Sequence, residues 1–217
     1  MKNFILIFLL FFSSLKSQDF DITYYLLGAT DQYMGRNYPI KDENYKGFII
    51  GFDEIHTKEI NRIEKITGLK FEKNLSLEKC FTFRDYYLKS DALEKEINAF
   101  FNFKKIGGSK LENGEYNYRG VLNFSKVKTS SDKQLLSFVA GAFLIHGGKS
   151  IEKDGDYEVY EISVANAKPK FEALKYALQK LGIYLIKEEI WYKIPVTYHL
   201  KFEPEGKLKE ILDESLN

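Results

Sequence analysis

The sequence predicts an α+β fold of two tandem repeats related by a pseudo-twofold axis, with antiparallel or mixed sheets and helices on one side. Each repeat is predicted to have the element order α-β-β-α-β-β-α. A Gly-Ala pair occurs twice in apolar, helix-like segments, as Gly28-Ala29 and Gly141-Ala142, and each first glycine lies seven residues before another glycine. The next helical segments end at Gly68 and Gly182, where glycine commonly terminates a helix. The offset between the halves is therefore 113 residues at the start and 114 at the end.

The first repeat spans residues 18–103 and begins with the apolar segment that contains Gly28-Ala29. Its further elements follow from alternating apolar residues for strands and from 3.6-residue spacing for helices. They are a strand at 45–52, a helix at 53–68, strands at 69–72 and 80–85, and a helix at 90–101.

The second repeat spans residues 132–217 and begins with a helix whose apolar residues recur at helical spacing up to residue 145. The remaining elements are a strand at 157–164, a helix at 167–182, strands at 183–186 and 196–203, and a helix at 205–216. Residues 104–131, rich in glycine and serine at several points, are the candidate linker between the repeats.

The order of elements and the paired Gly-Ala helices resemble the LAGLIDADG fold, found in homing endonucleases and in degenerate form in some bacterial regulators. The resemblance implies two motif helices packed side by side at a pseudo-twofold axis, with small residues where the backbones approach. Gly28, Ala29, Gly141 and Ala142 would serve this role. Apart from the resemblance, a mid-helix glycine costs about 0.5–1 kcal/mol relative to alanine, so its repetition indicates close helix contact.

The catalytic acids that the resemblance implies are missing from this sequence. Each motif helix should carry a metal-binding acid five residues after its glycine, and those positions hold Tyr33 and His146. Asp31 matches an earlier acid of the motif, but Leu144 stands at the corresponding place in the second half. We therefore expect no nuclease activity, no catalytic residues, no metal site and no cofactor.

The N-terminus has the form of a secretory signal peptide. Lys2 is followed by an apolar run at residues 4–12 and then by small polar residues, which predicts cleavage after Ser17 and export to the periplasm or the medium. A run of nine apolar residues is too short to span a bilayer, so we expect no stable membrane anchor. Without residues 1–17 the formal net charge changes from +1 to about −1. A chain so balanced offers no electrostatic reason to bind nucleic acid.

The stretch 137–150 ends in the Gly-Lys-Ser of a phosphate-binding loop but lacks the rest of that motif. The first glycine should stand at position 143, which is Phe143. We interpret Gly147 and Gly148 as a helix end that requires positive φ.

Other reactive residues have structural explanations. Cys80, the single cysteine, lies in a predicted strand and is expected to be a buried structural thiol. His56 and Glu59 share a helix face at i and i+3 and could bind a metal weakly. An acid-rich helix N-terminus is the simpler explanation, because carboxylates there oppose the helix dipole.

The candidate ligand groove consists of four aromatic residues near the C-terminus. They are Tyr184, Trp191, Tyr192 and Tyr198. Their density would suit either a groove wall or the core of an antiparallel sheet. The nearby strands mix both charge signs, as in Lys187, Glu188 and Glu189, which is typical of a solvated surface rather than of a nucleic-acid site.

The sequence as a whole predicts an exported, non-catalytic protein that binds an unknown ligand or protein partner. One alternative is an envelope hydrolase whose acids come together from distant segments. A second alternative is a catalytically inactive LAGLIDADG-like module that binds nucleic acid.

Overall fold

The computed structural model describes residues 20–30, 35–38, 45–73, 84–110, 116–151 and 157–216. Within these ranges the chain forms seven α-helices and ten strands, which confirms the predicted α+β class. The first half contains α1 (Ile22–Ala29), β1 (Arg36–Asn37), β2 (Phe48–Phe52), α2 (Thr57–Thr67), β3 (Phe71–Lys73), β4 (Tyr86–Lys89) and α3 (Asp91–Asn98).

The second half repeats this order of elements after a hairpin and a short helix. The intervening elements are β5 (Phe101–Lys110), β6 (Tyr116–Leu122) and α4 (Phe124–Lys128). The second half contains α5 (Asp132–His146), β7 (Gly147–Ile151), β8 (Glu158–Ala165), α6 (Lys168–Lys180), β9 (Tyr184–Trp191), β10 (Thr197–Glu203) and α7 (Gly206–Leu216). The pseudo-twofold relation between the halves stays a prediction.

The ten strands form three sheets whose described pairings are all antiparallel. The first half supplies the order β2-β4-β3, and the second half supplies β7-β8-β10-β9. The halves differ at their first strands, because β7 pairs with β8 whereas β1 pairs with β6 of the intervening hairpin. Residues 104–131, predicted to be a linker, thus contain most of that hairpin and helix α4.

A buried arginine attaches β1 to the first half. Arg36 is 5% exposed, and its guanidinium donates to the carbonyl oxygens of Ile49 at 2.7 Å and Phe48 at 2.8 Å. Its Nε atom donates to the Asn98 side chain at 2.6 Å. The planar guanidinium therefore connects the β1–β6 ladder to β2 and α3 through fixed donor directions.

Helices α1 and α5 pack against each other in the centre of the molecule. A Cβ atom built on Gly28 would overlap the carbonyl oxygen of Phe138, and one built on Gly141 would lie 2.8 Å from the carbonyl carbon of Tyr25. Ala29 and Ala142 beside them are fully buried. The backbones approach so closely that no side chain fits between them at the two glycines.

The N-termini of the two central helices are joined by polar contacts. Asp21 caps α1 by accepting from the Tyr24 amide at 3.1 Å, and its own amide donates to Ser137 Oγ in α5 at 2.9 Å. Gln134, part of the capping box of α5 with Ser131, also donates to Asp21 at 3.3 Å. Each helix start therefore has its own cap, and Asp21 joins the two.

The end of α5 differs from the predicted glycine stop. The helix ends at His146, as the glycine pair suggested, but Gly147 has φ −96° and ψ 164° and begins β7. Gly147 is required by space, since a Cβ there would lie 2.5 Å from Cγ of Phe143. Gly148 has no heavy atom within 4 Å of such a Cβ. The predicted need for positive φ at these glycines is wrong.

The structure tests the strand predicted at 80–85 only at residues 84 and 85, which lie just before a strand. Residues 74–83, with Cys80, lie outside the described residues, and the strand runs from Tyr86 to Lys89. Arg84 forms an ion pair with Asp53, and the Asp85 carboxylate accepts from the Glu54 amide at 3.0 Å. These two side chains bind the turn before α2, and the described pairing with β2 runs from Tyr86 to Lys89.

Replacement of Gly141 by alanine should test the central helix contact. Alanine favours a helix by about 0.5–1 kcal/mol over glycine, yet its Cβ would overlap the α1 backbone, so we expect a net loss of about 1–3 kcal/mol. Chemical denaturation of the parent and the variant measures this loss. The matched control is Gly148→Ala, where the added methyl meets open space and should be nearly neutral. Equal midpoints for Gly141→Ala and the parent would contradict the contact.

Candidate functional site

The four-stranded sheet of the second half has one face against helices and one face directed away from them. Side chains alternate along each strand, so residues two apart share a face. Tyr160, Ile162, Leu200 and Phe202 belong to the buried core. The opposite face of β8 and β10 carries Glu161, Ser163, His199 and Lys201, because His199 is paired with Ser163 and Lys201 with Glu161.

A histidine cluster lies at the centre of this opposite face. Nδ1 of His199 is 2.5 Å from Oε1 of Glu161 and 2.7 Å from Oγ of Ser163. Ser163 donates its hydroxyl proton to the same Glu161 oxygen at 2.6 Å. Because the Ser163 hydroxyl proton is already donated to Glu161, the hydrogen bond between His199 and Glu161 requires the ring proton on Nδ1. In the neutral ring, Nε2 is then left with a free lone pair.

The second nitrogen of this histidine is buried and has no partner. Nε2 of His199 makes no hydrogen bond, and the residue is only 5% exposed. The Trp191 ring packs over the His199 ring, with centroids 4.0 Å apart, and Trp191 itself is 52% exposed. A buried acceptor without a partner costs about 1–3 kcal/mol, so this atom is a natural point of attachment for a donor.

The charges around His199 are balanced. Burial raises the pKa of Glu161, but hydrogen bonds with Ser163 and His199 outweigh it and bring that pKa below its ordinary value. Glu189, paired with His199 on the neighbouring strand, forms an ion pair with Lys187 at 2.6 Å, and this hydrogen bond lowers the pKa of Glu189. Both carboxylates are therefore ionised at neutral pH, with lysines close to them.

The histidine cluster does not have the geometry of a nucleophilic triad. In such a triad the acid and the serine bind opposite nitrogens of the ring, so that one orients the histidine while the other is deprotonated. Here Glu161 and Ser163 both contact Nδ1, and Trp191 covers Nε2. The arrangement holds an imidazole in place without activating the hydroxyl.

The four aromatic residues predicted to line a groove do not share a surface. Trp191 lies over His199, whereas Tyr198 points to the other face and packs on Phe171, with centroids 5.2 Å apart. Tyr184 pairs with Glu203 at the opposite end of β9 and is 67% exposed. Tyr192, 82% exposed, follows Trp191 at the hairpin tip. Alternation along β10 separates Tyr198 from Trp191, so the four side chains do not line one face of the sheet.

His56 and Glu59 do not form a metal site. Glu59 is bonded to Arg62, whose Nε donates to both carboxylate oxygens at 3.0 Å. His56 lies in the 3₁₀ turn before α2 and packs on Phe52. Among the described residues, no group of three or more histidine, cysteine or acidic side chains could hold a metal ion.

The end of α5 carries His146 at the place where the fold resemblance implies a metal-binding acid. Tyr33 lies outside the described residues, and Nε2 of His146 is buried without a hydrogen-bond partner. Burial, together with the nearby positive charges of Lys170 and Arg84, lowers the pKa of His146 to about 2. The positive charges of Lys170 and Arg84 near His146 oppose a divalent cation at this place.

A small cavity lies between α1, α2, α5 and α7, with a volume of about 120 Å³. Its lining includes Tyr25, Glu59 and Arg62, which are engaged with one another. Ligand pockets usually measure about 300–1,000 Å³, so this cavity is too small for most ligands.

No helix in the described ranges is both long and apolar enough to cross a membrane.

Comparison with known proteins gives weak similarity to solved structures and none to families or curated proteins. No protein-family model matches the chain, and no curated protein matches it. Among solved structures it is similar to the crystal structure of I-DmoI, a LAGLIDADG homing endonuclease, in complex with DNA and Ca. The sequences are 14% identical over 88% of this chain and 85% of that chain, with a TM-score of 0.38. This similarity transfers no residue role to the present chain.

The depressed pKa of His146 should make the fold sensitive to acid. A histidine in the unfolded chain has a pKa near 6.5, whereas the pKa of His146 in the folded protein is about 2. The contribution of His146 to the free energy of unfolding is therefore fully present above pH 6.5 and decreases as the pH falls below that value. Between pH 7 and pH 5 the free energy of unfolding should fall by at most about 2 kcal/mol because of His146. Urea unfolding at both pH values should show a smaller loss for His146→Gln than for the parent. Equal losses would mean that His146 is protonated in the folded state.

Proposed function

We propose that this chain is a non-catalytic binding protein whose ligand surface is the face of the β7–β8–β10–β9 sheet around Trp191 and His199. The observation that carries the proposal is the unpartnered Nε2 atom of His199, buried beneath a half-exposed tryptophan. A ligand that displaces or tilts the Trp191 ring would reach this acceptor. It would then gain both an aromatic stacking surface and a hydrogen bond in a partly desolvated place.

The balanced charge around the site favours an uncharged ligand. Glu161 faces Lys201 across β8 and β10, and Glu189 forms an ion pair with Lys187 of its own strand. A polyanion would meet both carboxylates without a surplus of cations to offset them. A ligand with an apolar ring face and hydroxyl donors, such as a neutral oligosaccharide, suits Trp191 together with His199 and Ser163.

Nucleic-acid binding is a second candidate, and it is favoured by the β5–β6 hairpin. Lys104 pairs with Arg119 across the two strands, and Asn37 of β1 lies beside Arg119. Lys105 next to them is also exposed. A two-stranded ribbon with cations and amides on its surface can contact phosphates and base edges. This surface is distinct from the Trp191 site, so the two candidates can be tested separately.

Fluorescence of Trp191 should report ligand binding directly, because it is the only tryptophan in the chain. We expect a neutral hexasaccharide of glucose or N-acetylglucosamine to change the emission in a saturable way. His199→Phe keeps a ring beneath Trp191 but removes Nε2, and should weaken this binding about tenfold. The control is Tyr184→Phe at the far end of β9, which should bind like the parent.

The same titration with a DNA duplex separates the two candidates. If the duplex binds with steep salt dependence and the hexasaccharides leave Trp191 emission unchanged, the Trp191 surface is not the ligand site. In that case Lys104→Glu should weaken duplex binding. Thermal unfolding of each variant checks that lost binding does not come from lost folding.

Export is a further part of the proposed function. Lys2, the apolar run at 4–12 and Ser17 support a cleaved signal peptide. Intact-mass spectrometry of the protein from an envelope or culture fraction should show the loss of residues 1–17. A mass that includes Met1 in those fractions would contradict cleavage.

A further inference from the structure

A buried lysine of the second half closes the C-terminus of the central helix of the first half. Lys170 is 1% exposed, and its ammonium group donates to the carbonyl oxygen of Gly28 at 2.7 Å and to that of Thr30. The last carbonyls of a helix have no partners within the helix and carry a partial negative charge. The Lys170 ammonium satisfies two of these acceptors at the end of α1.

A histidine of the first half contacts the end of the other central helix. The imidazole of His56 lies near the backbone of Leu144, in the last turn of α5. Burial lowers the pKa of His56, and the backbone of Leu144 acts in the opposite direction. The Nδ1 atom of His56 is buried without a hydrogen-bond partner.

These two residues occupy equivalent places in the predicted repeats. Lys170 follows His56 by 114 positions, the same offset that separates Gly68 from Gly182. Both lie at the start of the second helix of their half, His56 just before α2 and Lys170 in the first turn of α6. Each therefore reaches from one half to the central helix of the other.

We propose that the second half closes the central helix of the first half with the Lys170 side chain, which occupies the end of α1 as a donor built into the chain. The carbonyl oxygens of Gly28 and Thr30 both accept from Lys170, so this side chain excludes a metal ion from these two oxygens. A covalently held donor stabilises the helix end without the dissociation that limits a bound metal.

Removal of the Lys170 charge tests the proposal. Lys170→Met keeps most of the stem and removes the ammonium, leaving two buried carbonyls without donors, so the thermal midpoint should fall by about 5 °C or more. The matched control is Lys175→Met in the same helix, where a partly exposed ion pair with Glu188 is lost and little change is expected. A Lys170→Met midpoint equal to that of the parent would overturn the proposal.

Chemical rescue distinguishes a missing cation from altered packing. Lys170→Ala removes three methylene groups and the ammonium, which propylammonium reproduces in size and charge. Propylammonium should raise the thermal midpoint of Lys170→Ala but not that of the parent, while tetramethylammonium at equal ionic strength should raise neither. An equal response to both amines would overturn the role of the ammonium.

Calorimetric titration of the unmodified protein with Ca²⁺ or Mn²⁺ provides a measurement that does not depend on any variant. We expect no binding, because Lys170 holds the helix end. Micromolar binding that is lost in His146→Gln would place the metal at the helix ends and overturn the exclusion. The outcome is independent of Trp191 and His199, so it leaves the proposed ligand surface unaffected.

Discussion

The close approach of helices α1 and α5 is the constraint on which the rest of the structure depends. At Gly28 and Gly141 each helix touches the backbone of the other, so the separation of the two halves is set by main-chain atoms rather than by adaptable side chains. Side chains of either half can then reach the opposite helix. Asp21 binds Ser137 at the N-terminal ends, and Lys170 reaches the Gly28 carbonyl at the other end of α1. The polar contacts between the halves are therefore possible only at this short helix separation.

The candidate ligand surface depends on the regularity of the second sheet. Glu161 and Ser163 lie two residues apart on β8, so they share a face, and antiparallel register brings His199 of β10 beside them. The helix side of the same strands is filled by core residues such as Ile162 and Leu200. Because one face is committed to the core, the polar residues of these strands collect on the other. The result is a polar sheet face on which Trp191 covers His199.

Local patterns in the sequence predicted the α+β class and most helices, but not the contacts between distant segments. Helical spacing located α5, and glycines with φ of 68° and 74° ended the helical segments at Gly68 and Gly182. No local sequence pattern predicts the pairing of β1 with β6, because a strand of two residues is defined only by the strand with which it pairs. His199 and Glu161 are 38 positions apart, and only the register of β8 with β10 brings them together. The sequence does not distinguish Lys170 from an exposed helix lysine, because only the fold brings the end of α1 beside it.

The pairing of β1 with β6 also determines where the chain could be divided. A fragment that stopped at residue 103 would keep β1 but lose β6, leaving Arg36 attached to β2 and α3 with no ladder beside it. A cut after α4 would retain the whole hairpin, yet it would expose the apolar face of α1 that normally covers α5. Neither fragment contains a complete core. Although the order of elements is repeated, one buried core contains residues of both halves, so two separately expressed halves should become structured only by associating with each other.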